Sequence, residues 1–214
     1  MGANTAYWQI RYGDVNQGAD AAPRGRQLIC FKSLDDPTRY RGRPDEAYGR
    51  ITMRFRDGGR WPETMLMGVA YQSWFSREVQ PPLRFPYLVV RNDLPFFANT
   101  GYEPGQTIGD VVGYEWDNTD PAGDGRRLWN AESSRIPAID PASIQVLFRG
   151  TPVDVDGRPG IAEAVYFRSE AGAEVFSSGT IRWSWGLGKP GFESEKFRVF
   201  NSNLVAFLLR KTPG

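Results

Sequence analysis

The sequence predicts a β-rich α+β fold in which many short strands are followed by one C-terminal helix. The 214 residues include 24 glycines and 16 prolines, which favour turns, and 7 tryptophans and 13 phenylalanines, which favour strands. Most apolar residues occur in runs of strand length, and only the end of the chain has the period of a helix. A chain of this length is long enough to bury a hydrophobic core.

Nine segments have the composition of strands. GRITMRFR alternates most clearly, with Ile51, Met53 and Phe55 on one face and polar or charged side chains on the other. A hairpin turn is predicted at Asp156-Gly157, between two of the last strands. The segments are AYWQIRY (6–12), RQLICFK (26–32), GRITMRFR (49–56), MLMGVAYQ (65–72), PYLVVR (86–91), DVVGYEW (110–116), SIQVLFR (143–149), AEAVYFRS (162–169) and EVFSSGTIRW (174–183).

The predicted helix covers residues 193–211. Apolar residues at positions 197, 200, 204, 207 and 208 recur at helical spacing. Ser194 stands where an N-cap is expected, the basic pair Arg210-Lys211 suits the C-terminal end of the helix dipole, and Pro213 ends the pattern. The last part of the chain is therefore predicted to be strand, turn, strand, loop and helix.

The balance of charges argues against a dedicated nucleic-acid-binding protein. Lysine and arginine number 26 and aspartate and glutamate 25, which leaves a formal net charge of +1, whereas affinity for phosphates needs a clustered cationic excess. No apolar stretch approaches the roughly 20 residues of a membrane span, and no signal peptide is present. We therefore expect a cytoplasmic protein that binds neither nucleic acid nor membrane.

The absence of histidine removes whole classes of active site. Without an imidazole, the chain cannot form a Ser-His or Cys-His couple or a histidine metal site. The single cysteine, Cys30, excludes an internal disulfide, and its place in the apolar run LICF predicts a buried, unreactive thiol. Chemistry in this chain must therefore use carboxylates, tyrosines, lysines, amides or backbone groups.

Three segments place polar or ionisable groups in apolar, turn-rich surroundings, and the first is GANTAYW (2–8). Gly2 loosens the turn, and the amide of Asn4 offers both a donor and an acceptor. The alternative is an ordinary turn asparagine that satisfies backbone groups. The residues alone favour this alternative.

The second segment, DVVGYEWD (110–117), carries Glu115 between Tyr114 and Trp116. A carboxylate between aromatic rings loses hydration, which would raise its pKa towards that of a useful base. Alternation along one continuous strand would put Glu115 on one face and both aromatic residues on the other. If the aromatic face meets the core, Glu115 simply points to water, and the pattern leaves both interpretations open.

The third segment, VFSSGTIRWSWGLG (175–188), joins small residues to two tryptophans. Small residues let the backbone approach a ligand closely, and Trp183 and Trp185 are suited to wall a pocket. The two tryptophans are equally suited to the core, which the residues alone favour. Neither Ser177 nor Ser178 lies in a G-x-S-x-G nucleophile motif.

Taken in order, these segments resemble the C-terminal half of the large (beta) subunit of N,N-dimethylformamidase and its relatives. The resemblance rests on GANTAYWQIR, RQLICFK, the WPE and LMGVAYQ stretch, VVGYEWD and EVFSSGTIRWSWGL, and it extends from residue 2 to residue 209. It implies one domain over residues 1–214 that forms the C-terminal portion of a glutamine-amidotransferase-like α/β core with a large β-strand insertion. It also implies a metal-dependent hydrolase of small N-substituted amides such as N,N-dimethylformamide.

The resemblance also implies roles for individual residues. Asn4 matches an active-site asparagine, and Glu115 matches a catalytic glutamate that serves as acid and base while water attacks a metal-polarised carbonyl. Tyr7, Trp183 and Trp185 are expected at the substrate. The family's mononuclear iron takes two tyrosines and a glutamate from a segment upstream of GANTAYW. The implied cofactor is therefore iron held outside this chain, and no metal ligand is predicted within it.

The same resemblance implies that residue 1 is an interior position of the ancestral domain. An upstream segment or a partner subunit would then complete the site, and an oligomer is the expected assembly. Two departures from the family concern the substrate: Glu163 stands where relatives are histidine-rich, and Gly188 stands where an aspartate commonly follows WGL. The alternative that the residues leave open is a non-catalytic β-rich binding or assembly module with aromatic walls.

Overall fold

The computed structural model describes residues 7–12, 28–32, 52, 54, 63–79, 82–120, 139 and 141–210. In these residues the chain forms nine strands and three α-helices, which confirms the β-rich fold with a C-terminal helix. The strands are β1 (Arg11–Tyr12), β2 (Leu28–Ile29), β3 (Ala70–Trp74), β4 (Phe85–Val89), β5 (Thr107–Val112), β6 (Glu115–Asn118), β7 (Gln145–Gly150), β8 (Ala162–Arg168) and β9 (Glu174–Ser177). The helices are α1 (Thr64–Met67), α2 (Trp185–Gly188) and α3 (Glu195–Leu208), and short 3₁₀ turns occupy Pro95–Phe97 and Pro141–Ser143.

A five-stranded antiparallel sheet, in the order β5–β4–β7–β8–β9, organises the core. Strand β8 shows why the sheet is buried on both faces. Ala164 and Tyr166 belong to the main aromatic core, while Val165 between them packs with Met67 and Val69 on the opposite side. A strand covered on both faces needs a continuous apolar run, and AEAVYFR is such a run except for Glu163 and the exposed Arg168 at its end.

Helix α3 covers the main core, and its apolar period confirms the sequence prediction. Phe197, Phe200 and Leu204 are the buried residues of this helix, and the ring of Phe200 lies 5.1 Å from that of Phe148 on β7. The helix begins two residues later and ends three residues earlier than predicted. Ser194 occupies the N-cap position, but its side chain makes no capping hydrogen bond.

A two-stranded sheet of β3 and β6 lies next to this core and carries the site residues. Trp116 of β6 is fully buried, with its ring 6.0 Å from that of Phe75, and it forms a β-bridge with Thr180. The continuous strand predicted over residues 110–116 is therefore wrong, because the chain leaves the five-stranded sheet at Gly113. Gly113 has a φ of +122°, which favours glycine, and a Cβ there would lie 2.1 Å from Phe75 Cζ.

The segment MLMGVAYQ (65–72) is also not the single strand that was predicted. It starts within helix α1, and β3 begins only at Ala70. Gly68 ends the helix in the left-handed conformation with a φ of +72°, and the ring of Phe167 packs 2.9 Å from where a Cβ would be. A local apolar run does not distinguish a short helix from a strand, and here the tertiary contact decides.

The prediction of a buried thiol at Cys30 is wrong, because Cys30 is exposed. The run LICF contributes to β2, which pairs with β1 and not with the five-stranded sheet, and Leu28 and Phe31 are exposed as well. Of the strand predicted over 49–56, Arg54 forms a bridge with Trp8, and the apolar face at 51, 53 and 55 lies outside the described residues.

The hairpin turn at Asp156-Gly157 is confirmed. Gly157 has a φ of +77°, and a bridge joins Val153 to Pro159 across the turn. Asp154 Oδ1 accepts hydrogen bonds from the backbone N–H groups of Asp156 and Arg158, at 2.9 and 2.8 Å, so this carboxylate stabilises the turn. Within the described residues, no helix combines the length and the apolar character that a membrane span needs.

Candidate functional site

Glu115 lines a cavity of about 350 Å³ at the end of the β3–β6 sheet. Three aromatic side chains form its walls, namely Tyr71, Trp74 and Tyr114, and the remaining lining residue is Arg77. A volume of this size suits a small-molecule ligand. The site predicted around Glu115 is therefore a concave surface with one carboxylate, one guanidinium and aromatic walls.

A β-bulge in β3 brings two of these aromatic residues to the same face. Tyr71 is opposite Asp117 and Ser73 is opposite Trp116, so β3 has one extra residue over this step. In regular alternation Tyr71 and Trp74 would point to opposite faces, and the extra residue puts them on the same face. Trp74 is directly opposite Glu115 in the register, which sets its indole beside the carboxylate.

The backbone that presents Tyr114 and Glu115 is held from both sides. On one side, Phe75 N donates to Tyr114 O at 2.8 Å. On the other side, Arg182 N donates to Gly113 O at 3.0 Å and Asp117 N donates to Gly179 O at 2.9 Å. Pairing on both edges fixes the direction of the two side chains between them.

Thr180 is the centre of this support. Its Oγ1, which is buried, accepts a hydrogen bond from Gly113 N at 2.9 Å. The same hydroxyl lies 3.0 Å from Val111 O and 2.9 Å from Gly113 O, so its hydrogen is donated to one of these carbonyl oxygens. The run SSGT thus contacts the β5–β6 connection directly, and the close backbone approach that small residues permit serves this contact.

Two arginines give the region positive charge. The Arg77 guanidinium lies 5.6 Å from the centre of the Tyr114 ring, on the cavity itself. Arg182 is buried behind the site, with its guanidinium 4.8 Å from the ring of Phe75 and 4.4 Å from that of Trp185, and it donates to Leu83 O at 2.7 Å. Burial lowers the pKa of Arg182, because the charged form loses hydration.

Glu163 is a buried carboxylate that supports the far end of β6. Its Oε2 accepts hydrogen bonds from Thr119 N and Thr119 Oγ1, at 3.0 and 2.7 Å. Its Oε1 accepts two more from Arg149, at 3.0 and 2.8 Å. The departure from the family at this position therefore has a structural role: Glu163 ties the residue after β6 to strands β7 and β8.

Of the residues predicted at the site, the structure brings Tyr7 and Glu115 into one neighbourhood. The Tyr7 ring packs edge-on against Tyr71, a cavity wall, with the ring centres 5.6 Å apart. Arg54 donates to the Tyr7 hydroxyl at 3.3 Å. Asn4 lies outside the described residues, so its position relative to Glu115 stays a prediction.

The two predicted tryptophans lie elsewhere. Trp183 is partly buried and packs against the main core, 4.6 Å from Phe197 between ring centres, and its Nε1 donates to Asn201 Oδ1 at 2.8 Å. Trp185 packs on Phe192 at 4.9 Å. Neither residue lines the Glu115 cavity, and the core alternative that the sequence favoured describes Trp183 correctly.

Sequence reasoning missed Tyr71, Trp74 and Arg77. Their segment was predicted as strand followed by loop, and regular alternation separates the two aromatic residues. The available signal was a tryptophan beside serines at the end of an apolar strand. That signal is weak, because Trp74 is placed beside Glu115 only by the bulge in β3 and the pairing of β3 with β6.

Among the described side chains, no three His, Cys, Asp or Glu residues come together as a possible metal site. The chain also contains no histidine at all. Tyrosine, which supplies two of the three iron ligands in the family, is not one of these residue types, so an iron held outside this chain stays a prediction.

A family model described as N,N-dimethylformamidase beta subunit-like, C-terminal, matches residues 1–196. None of the curated proteins matches the chain. The matched region covers well over half of the 214 residues and includes both strands of the β3–β6 sheet. The chain therefore belongs to the family described as N,N-dimethylformamidase beta subunit-like, C-terminal.

Proposed function

We propose that this chain is part of a metal-dependent hydrolase of small N-substituted amides, of which N,N-dimethylformamide is the model substrate. Membership of the family supports a dimethylformamidase-related hydrolase. The observation that carries the finer proposal is the cavity in which Glu115 meets three aromatic walls. Aromatic walls suit the N-alkyl groups of such an amide, and the carboxylate is able to accept and return a proton.

Glu115 is the proposed acid and base. During hydrolysis its carboxylate takes a proton from the attacking water as the new C–O bond forms. It then delivers this proton to the amide nitrogen as the C–N bond breaks, which releases a carboxylic acid and an amine. Such acid-base help is typically worth roughly 10²–10⁴-fold in rate. Pairing on both edges of the Gly113–Asp117 backbone keeps this carboxylate in one place.

Asn4, Tyr7, Trp183 and Trp185 have supporting roles in the proposal. The Asn4 amide would donate a hydrogen bond to the substrate carbonyl oxygen as charge develops there, as oxyanion donors do. Tyr7 backs the aromatic wall through Tyr71. Trp183, which packs on Phe197, and Trp185, which packs on Phe192, would support the fold without lining the cavity.

The proposal places the iron outside this chain. An upstream segment or a partner subunit would bring the iron ligands. The chain would then be the C-terminal portion of a glutamine-amidotransferase-like core with a large β insertion, as one domain over residues 1–214, in an oligomeric cytoplasmic enzyme. Its own part is to supply Glu115 and the aromatic cavity.

The test is the Glu115→Gln variant in the chain combined with the upstream segment or partner subunit that is proposed to bring the iron ligands. Release of dimethylamine from N,N-dimethylformamide is expected to fall by roughly 10²-fold or more, while iron content stays equal to that of the wild type. Glu170→Gln, on an exposed turn, is the matched control with unchanged turnover. Turnover near the wild-type value in Glu115→Gln would remove Glu115 from the mechanism.

A second candidate, a non-catalytic binding or assembly module, is favoured by one observation. Trp74 lines the cavity and yet is 44% exposed, as an aromatic platform for a ligand would be. Saturable binding of a glycan or a protein, with no amide hydrolysis by the complete protein, would select this candidate.

A further inference from the structure

We propose that the Glu115 cavity is a binding site for methylated ammonium cations. The inference rests on the proposed function in one respect, since a protonated dialkylamine is what hydrolysis of an N,N-dialkyl amide leaves behind. Its physical case stands on the cavity alone. It names the ligand class of the site as a small organic cation rather than an anion or a neutral sugar.

The lining of the cavity has the chemistry that recognises such cations. The π faces of Tyr71, Trp74 and Tyr114 are electron-rich, and a cation over an aromatic face is attracted by the ring quadrupole. Methyl groups on nitrogen spread the charge and weaken hydration, so little hydration is lost on entering an aromatic site. Glu115 adds a formal negative charge on the same cavity. Aromatic walls and one carboxylate together favour a cation over a neutral molecule of equal shape.

The aromatic walls are set in place before a ligand arrives. The bulge between Tyr71 and Ser73 fixes Tyr71 and Trp74 on one face of β3. The Tyr7 ring, at 61° to that of Tyr71, supports it from behind. Tyr114 is held by the hydrogen bond from Phe75 N to its own carbonyl oxygen. A site that is ordered in advance loses less conformational entropy on binding.

Arg77 shows that one of these walls already receives a cation. Its guanidinium lies 5.6 Å from the centre of the Tyr114 ring, within the range of a cation–π contact. Arg77 is exposed, so a ligand is able to displace it from the ring at modest cost. Arg77 would then compete with the ligand for Tyr114 and repel it, and its removal should strengthen cation binding.

The experiment compares choline with 3,3-dimethylbutan-1-ol, which replaces the charged nitrogen by carbon and keeps the shape. Each is titrated into the full 214-residue chain at constant ionic strength, with tryptophan fluorescence and calorimetry as readouts. Choline is expected to bind at least about tenfold more tightly than its neutral isostere. Equal affinities, or no saturable binding of choline, would overturn the proposal, and so would tighter binding of acetate.

Four variants assign the effect to the cavity. Glu115→Gln should weaken choline binding about tenfold and leave the neutral isostere unchanged. Arg77→Gln should strengthen choline binding about threefold, because a like charge is removed. Glu170→Gln and Arg168→Gln, which change exposed charges at the end of β8 and in the turn after it, should leave it unchanged. Identical effects of Arg77→Gln and Arg168→Gln would contradict the assignment.

These outcomes separate this proposal from the proposed hydrolase. The titrations need neither turnover nor iron. Loss of hydrolysis in Glu115→Gln together with no preference for choline would leave the hydrolase standing and reject the cation site. A preference for choline, together with full hydrolysis in Glu115→Gln, would leave the cation site standing and reject the role of Glu115 in hydrolysis. The wild-type comparison of the two isosteres remains decisive even if a variant fails to fold.

Discussion

Thr180 offers the sharpest test of how the site is supported. The variant Thr180→Val keeps the shape of the side chain and removes the hydroxyl. Gly113 N then loses its acceptor at 2.9 Å in a buried place, whereas Gly113 O keeps the hydrogen bond from Arg182 N at 3.0 Å. One buried donor without a partner costs about 1–3 kcal/mol, so the free energy of unfolding should fall by that amount.

Urea denaturation of the full chain, followed by tryptophan fluorescence, measures this change. The slope of the unfolding free energy against urea should stay the same, because the same surface is exposed on unfolding. The matched control is Thr180→Ser, which keeps the hydroxyl and loses one methyl group, worth about 0.8 kcal/mol. If Thr180→Ser is as destabilising as Thr180→Val, or if Thr180→Val costs less than about 0.5 kcal/mol, the hydroxyl is not the support described here.

Two further predictions concern Glu163 and Tyr102. Glu163→Gln brings an amide N–H group against the donors of Thr119 or Arg149, so the free energy of unfolding should fall by about 1–3 kcal/mol. Urea denaturation measures this change, with Glu170→Gln as the control that should leave stability unchanged. If Glu163→Gln differs from Glu170→Gln by no more than the experimental error, the role of Glu163 is refuted. Burial raises the pKa of Tyr102 to about 12, whereas an unfolded tyrosine titrates near 10. The folded state therefore holds this proton more tightly, so the stabilising contribution is complete below about pH 10 and is lost as the pH rises towards 12. Thermal unfolding midpoints over this window should fall more steeply in the wild type than in Tyr102→Phe, and parallel curves would contradict the assignment.

The sequence predicted the elements whose pattern is local. Helix α3 follows from apolar residues at helical spacing, and the structure buries Phe197, Phe200 and Leu204 of that pattern. Most strands of the large sheet follow from short apolar runs between turns. Their limits and pairing do not follow, because an apolar run does not say which other strand completes its hydrogen bonds.

The arrangement of the candidate site was predictable only in part. Glu115 and Tyr7 were selected from the sequence; in the structure Glu115 lines the same cavity as Tyr71, and the ring of Tyr7 packs on that of Tyr71. The prediction that Tyr114 lies on the opposite strand face from Glu115 was wrong. Gly113 interrupts the strand, so the alternation of side chains starts again after it. The interruption depends on the fit of Phe75 against a glycine 38 positions later in the chain, and sequence periodicity does not contain that contact.

The contacts that hold the site are long-range in sequence. Thr180 reaches Gly113 across 67 positions, and Glu163 reaches Thr119 across 44. Glu163 looked like a departure that bears on the substrate, and the structure gives it four hydrogen bonds that anchor the end of β6. The sequence did hold a signal for this role: Glu163 stands within the apolar run AEAVYF, and a carboxylate that is buried in such a strand needs hydrogen-bond partners.

Glu115 is the residue on which the account depends most. The most direct measurement is the rate of dimethylamine release from N,N-dimethylformamide by the chain together with the upstream segment or partner subunit proposed to bring the iron ligands, for wild type and Glu115→Gln at equal iron content. The account predicts a decrease of roughly 10²-fold or more for Glu115→Gln, with Glu170→Gln at the wild-type rate. Equal rates for all three proteins would contradict it.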